Sequence, residues 1–205
     1  MFACAGLLLA QAVLADRASE LITFASIKPG DKVAAFMPDG GDLTRLLCKV
    51  VGDAGHVYVI GVPQLAVPSA SEAAGACHNV TTSTLKSRLV PAPELHDDSD
   101  PGYVYEYWSS SPAAENFTAP EPLDVIWTSD NYHDLHNKAF GSPDMSRVNT
   151  ALLAALKPGG LLLIEASLHH IAVEQVRQEV THAGFEFAGE LHDGEDTFLL
   201  KFRKP

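Results

Sequence analysis

Five polar or ionisable side chains, Asn131, Tyr132, His133, Asp134 and His136, stand almost in a row within LDVIWTSDNYHDLHN, residues 123 to 137. An imidazole titrates near neutral pH, so His133 is a candidate general base. Asp134 can orient it by accepting its second N–H. The competing reading makes His133 and Asp134 a hydrogen-bonded pair that fixes a loop, with Asp130 or Asn131 capping the turn. One polar residue would fit a cap; five fit it poorly. A rival constellation adds His136, His169 and His170 to His133 and Asp134. Imidazole plus carboxylate suits zinc, nickel or iron, but the spacing matches no known metal signature, so no metal ligand is assigned from it.

The cluster follows an apolar run, Leu123 to Ser129, that reads as a buried strand with Trp127 in the core. Other elements follow the same logic. Residues 16–27 read as a helix, VAAFM (33–37) as a strand, PDGGD (38–42) as a turn, LTRLLCKVVG (43–52) as a helix and AGHVYVIGVP (54–63) as a second strand. Strand, glycine turn, helix and strand make a βαβ unit. NVTTSTL (79–85) is a third strand. SPDMSRVNTALLAALKPGG (142–160) is a helix stopped by Pro158-Gly159-Gly160, and LLLIEAS (161–167) is a central strand. IAVEQVRQEVTHAG (171–184) is a helix; FEFAGEL (185–191) and DTFLLKFRKP (196–205) form a closing antiparallel hairpin. The pattern predicts an α/β fold, a Rossmann-like doubly wound, mostly parallel sheet with an antiparallel C-terminal strand. Such sheets bind ligands outside the carboxyl ends of their parallel strands. That places residues 131–136 at the crevice, and Glu165, at the end of the next strand, beside them.

Composition narrows the partners. The chain has 205 residues, 46% of them hydrophobic, which suits one globular domain over 16–205. Fourteen basic against 26 acidic residues give a net charge of −12, which repels phosphate backbones and argues against nucleic acid. A small-molecule substrate is the default partner. Cys4, Cys48 and Cys77 show no zinc spacing; they read as core residues, or as one Cys48–Cys77 bridge if the protein is exported. Residues 1–15 are apolar but too short to span a membrane. They read as a signal peptide, which would make the protein periplasmic or otherwise exported, or as a buried N-terminal helix of a cytoplasmic protein. Residues 86–120 are rich in Pro, Ser and Asp and read as a long irregular segment with a short strand at 103–108. Such a segment is a surface insertion or the contact face of an interaction domain. Oligomeric state is not legible.

Five stretches carry a resemblance: FASIKPGDKVAAFMPDGGDLTRLL, VVGDAGHVYVIGVP, LDVIWTSDNYHDLHN, ALLAALKPGGLLLIE and DTFLLKFRKP. In order and spacing they resemble class I S-adenosylmethionine-dependent methyltransferases. More narrowly, they resemble a bacterial group of predicted methyltransferases with an NYHDLHN motif. The resemblance implies a seven-stranded sheet, S-adenosylmethionine as cofactor and methyl transfer to a small molecule. It implies cofactor contacts at Met37, Pro38, Asp39, Gly40, Gly41 and Gly61, and a substrate face at Asn131 and Tyr132 beside His133 and Asp134. The chain departs from the family pattern. Ala35 stands where the first strand normally ends in an acid, and Met37 and Asp39 stand where glycine is usual. Gly61 or Val62 stands where a ribose-binding acid is expected, and Asp39 and Asp42 add negative charge near the cofactor carboxylate. The alternative is a methyltransferase fold that has lost methyl transfer and serves as a binding or interaction domain, or carries the histidine-rich metal site.

Overall fold

The computed structural model describes residues 17–38, 41–61, 75, 77–86, 88–91, 106–109, 111–136 and 143–205. Residues 1–15, Asp39 and Gly40 lie outside the described residues, so the expectations for the N-terminal segment and for those two turn positions do too.

One seven-stranded sheet organises the chain. Its strands are β1 (Lys32–Phe36), β2 (His56–Gly61), β3 (Val80–Thr84), β6 (Leu123–Ser129), β7 (Leu156–Ser167), β8 (Glu186–Asp193) and β9 (Thr197–Arg203). Their spatial order is β3-β2-β1-β6-β7-β9-β8. The first five are mutually parallel; β9 runs antiparallel to both β7 and β8. Chain order reverses direction between β1 and β6, which makes that junction the switch point where a doubly wound sheet opens a crevice.

Side-chain alternation builds two cores. Val33, Ala35, Val57, Trp127 and Leu163 face one layer with Ala25 and Leu47. Those two residues come from α1 (17–25) and α2 (Gly41–Val51). Ala34, Phe36, Ile126, Leu162 and Leu200 face the other layer with Ala114, Leu152, Val176 and Val180. These last come from α3 (Ser111–Glu115), α4 (Met145–Ala155) and α5 (Val173–His182). Both faces of β1, β6 and β7 are therefore covered, as their nearly continuous apolar runs require. Cys48 sits in the first core with Cys77 beside it, and no disulfide joins them. Burial first, and then Cys77, push the Cys48 thiol up to about 12. No helix of the described residues is long and apolar enough to cross a membrane.

Two local outcomes differ from the sequence pattern. The helix expected over 142–160 spans only Met145–Ala155, because β7 already begins at Leu156. Pro158 biases the residue before it to extended backbone and has no N–H to donate. Gly160 then lies where a Cβ would come within 2.9 Å of the Lys157 carbonyl. LKPGG is thus the start of a strand. Within 86–120, β4 (Arg88–Pro91) and β5 (Glu106–Ser109) pair as a separate antiparallel ribbon, and α3 follows. The short strand expected at 103–108 overlaps β5 over 106–108; residues 103–105 lie outside the described residues.

Helix α4 starts where Asp144, in extended conformation, accepts hydrogen bonds from the Ser146 and Arg147 backbone N–H groups. Asp144→Ala is expected to lower stability by about 1 kcal/mol, read from the urea midpoint; no change would mean that water caps the helix equally well. At the far edge of the sheet, a bulge between Phe187 and Gly189 breaks the register of β8. Gly189 has φ 155 there, with Phe24 against it.

Candidate functional site

The carboxyl ends of β1 and β6 meet through one hydrogen bond. Asn131, 6% exposed, donates its side-chain N–H to the Met37 carbonyl at 2.9 Å. Met37 itself donates to the Ile60 carbonyl at 2.7 Å, which fastens the same point to β2. Met37 has φ 50, the left-handed conformation that glycine adopts without strain. Its thioether is buried in the core with Phe36 and Tyr132, so it does not fill the crevice. The chain keeps the glycine conformation without the glycine.

The remaining turn positions are placed as follows. Pro38 is buried, and Gly41 opens α2. Asp42 is almost wholly exposed and paired with Arg45. Gly61 ends β2, and a Cβ there would meet nothing within 4 Å among the described residues. Ala35 is fully buried in the first core.

The motif after β6 divides into inward and outward members. Asp130 has φ 54 and its N–H donates to the Glu165 carbonyl at 2.9 Å. A single 3-10 turn, His133–His136, follows. Tyr132 is 1% exposed. Its hydroxyl accepts from the Asn149 amide at 2.9 Å and donates to Glu179 at 3.3 Å. Burial holds that phenol far above its ordinary range, so it stays protonated. His136 binds both oxygens of Glu179 at 3.0 Å, and Gln175 donates to the same carboxylate at 2.9 Å. Tyr132 and His136 thus tie the turn to α4 and α5.

His133 and Asp134 are partly exposed, with His133 Nε2 3.5 Å from Asp134 Oδ1. The His133 ring stacks on His170, centroids 4.2 Å apart and tilted by 31°. His170 Nδ1 lies 3.7 Å from Asp130 Oδ1. His169 turns away to Asp196 at 3.2 Å. Of the four histidines that sequence spacing groups, only His133 and His170 come together. Asn149 and Glu179 complete the arrangement without a local sequence signal; Asp130, a turn-cap candidate in the sequence, directly follows β6.

Glu165, opposite Ser129 in the β6–β7 ladder, accepts the Ser129 hydroxyl at 2.9 Å. Burial pushes its carboxyl above the usual range, although the Ser129 bond opposes the shift. At the opposite, amino end of the sheet a cleft is lined by Lys28, Asp31, Asp124, Lys157 and Arg203. Asp124 binds both Lys157, at 2.7 Å, and the Lys32 backbone N–H, at 2.8 Å, so these charges brace strand starts.

No family model matches the sequence, and no curated protein matches it. Solved structures do. A SAM-dependent methyltransferase from Aquifex aeolicus aligns with TM-score 0.66 and 18% identity, covering 92% of this chain and 89% of that one. The N-methyltransferase NodS from Bradyrhizobium japonicum WM9, in complex with S-adenosyl-l-homocysteine, aligns with TM-score 0.60 and 16% identity over 93% and 86% of the chains. The [4+2]-cyclase SpnF aligns with TM-score 0.61 and 16% identity over 93% and 82%. At such identities the likeness establishes the fold: an α/β, seven-stranded sheet with a parallel centre and antiparallel C-terminal strands, as in class I SAM-dependent methyltransferases.

Proposed function

We propose that the chain is a methyltransferase that binds S-adenosylmethionine above the carboxyl ends of β1 and β2 and methylates a small-molecule acceptor. The observation that carries this reading is the joining of Met37 to Asn131 at the switch point of a sheet with methyltransferase strand order. NodS, solved with S-adenosyl-l-homocysteine, supports the choice of cofactor. The residues present fit it in part. Met37 withdraws its side chain into the core, and a Cβ at Gly61, the last residue of β2, would meet nothing within 4 Å among the described residues. When bound, the sulfonium supplies an electrophilic methyl group, so the protein's task is placement and electrostatics. Asn131 holds the turn in position. His133, oriented by Asp134, takes the proton that the acceptor loses. The net charge of −12 favours a small acceptor over nucleic acid.

A second reading is favoured by the missing carboxylates at Ala35 and Gly61: a chain of this fold that no longer transfers methyl groups. The fold itself does not fix the chemistry. Calorimetric titration with S-adenosylhomocysteine separates the two. Gly61→Asp places a carboxylate where a Cβ meets nothing within 4 Å among the described residues; a charge-assisted hydrogen bond from it to a ribose hydroxyl is worth about 1.5 kcal/mol or more, roughly tenfold in affinity. Wild-type binding that tightens by that factor in Gly61→Asp supports methyl transfer. Binding only in Gly61→Asp or Asp39→Gly supports the second reading, and no binding in any of the three sinks the cofactor assignment.

A further inference from the structure

We propose that Asp130, His133 and His170 form a binding site for a divalent transition-metal ion at the carboxyl ends of β6 and β7. One potential ligand atom from each residue lies within 4.8 Å of the other two. Asp130 and His133 belong to the turn after β6, and His170 to the turn after β7. The ion would bridge two neighbouring strand ends beside the crevice.

Two atoms in this group lack what burial normally demands. Asp130 Oδ1 and His133 Nδ1 are both shielded from solvent and have no hydrogen-bond partner among the described residues. His170 Nδ1, 3.7 Å from that oxygen, is too distant for a hydrogen bond. A buried polar atom left unpaired is costly, and a cation bound in this cluster would give such atoms a partner. Asp130 also holds φ 54, an uncommon conformation for a residue with a side chain.

The donor set selects the ion class. Two imidazoles and one carboxylate suit zinc sites that keep an open position, and iron sites of the facial type. Calcium and magnesium prefer oxygen ligands throughout. Metal–ligand distances of about 2.0–2.2 Å place tetrahedral ligand atoms roughly 3.3 Å apart, so the triangle must contract on binding. The side chains able to move are His170, 46% exposed, and Asp130, 45% exposed. Asp134 Oδ1 lies 3.5 Å from His133 Nε2, placed to serve as the outer carboxylate that orients a ligating imidazole. On binding, His170 leaves its stack on His133 and turns toward the ion. His136 and His169 take no part, because Glu179 and Asp196 hold them. An ion and a proton compete for His133, so the metal-bound chain has no free imidazole base there. The site stands independently of whether S-adenosylmethionine binds.

The test is calorimetric titration of Zn²⁺ into the full chain, chelator-treated and without a histidine tag. His170→Ala, Asp130→Asn and His169→Ala are titrated in parallel. One Zn²⁺ per chain is expected, with Kd about 1 μM or tighter. Affinity should fall at least about tenfold in His170→Ala and in Asp130→Asn and stay unchanged in His169→Ala. The proposal is overturned by no stoichiometric binding to the wild type, by equal weakening in His169→Ala, or by unaltered binding in both ligand variants. S-adenosylhomocysteine titrated into the same samples reads the cofactor separately.

Discussion

Glu179→Ala is expected to lower the unfolding free energy by about 2–3 kcal/mol, because hydrogen bonds to charged groups contribute about 1.5–3 kcal/mol. Glu179 receives His136, Gln175 and the Tyr132 hydroxyl, and its removal leaves a nearly inaccessible phenol with only the Asn149 side-chain oxygen, at 3.3 Å, as acceptor among the described residues. The loss should also depend on pH. Its bond to Glu179 raises the His136 pKa above the usual 6.5, against the opposing effect of burial. Burial raises the Glu179 pKa, but the bonds from His136 and Gln175 outweigh it and bring the carboxyl below the usual 4.5. A raised histidine stabilises fully below 6.5, and the gain fades as pH climbs through its folded pKa. A depressed carboxylate stabilises fully above 4.5, and the gain fades as pH falls through its folded pKa. The pair is therefore worth most between pH 4.5 and 6.5. Urea unfolding across that range and on either side measures it. Glu179→Gln should lose the pH dependence while keeping much of the hydrogen bonding. A loss below about 0.5 kcal/mol at all pH values, as for an exposed pair, would show that the network does not anchor the turn.

Asn131→Ala should cost about 1–3 kcal/mol by leaving the Met37 carbonyl without its donor in a buried place. It should also act on the crevice. Met37 is held at φ 50 by two bonds, one to β2 and one from Asn131. With Asn131 gone, the bond to Ile60 is the one left among the described residues to hold that conformation against its intrinsic cost of about 1–2 kcal/mol. S-adenosylhomocysteine affinity should therefore fall together with stability. Asn131→Asp should be worse, since a carboxylate offers the carbonyl no donor at neutral pH. If stability falls but affinity does not, the cofactor does not depend on this turn.

Strands and helices were legible because their periods are local: VAAF and LLLI are buried on both faces and read so. The end of α4 was not, because the KPGG signal stops a helix and begins a strand with the same residues. The crevice position of the NYHDLH motif followed from its place after a central strand. Which of its members face outward did not. That division depends on the 3-10 turn and on Asn149 and Glu179, which lie 17 and 43 residues downstream of their partners Tyr132 and His136. The adjacency of His133 and His170 followed from neighbouring strands, whereas Asp130 enters through a backbone conformation that no spacing encodes.

The bulge at the outer edge of the sheet bears on how copies of the chain behave together. A foreign strand adding to β8 needs an unbroken row of free backbone groups. It would meet a shifted register between Phe187 and Gly189 instead. Phe187, 37% exposed, carries the Arg177 guanidinium over its ring at 4.2 Å. A local kink and a charge beside the exposed ring are devices that discourage edge-to-edge growth. The C-terminal hairpin thus closes this side of the sheet against fibril-like stacking as well as completing its core.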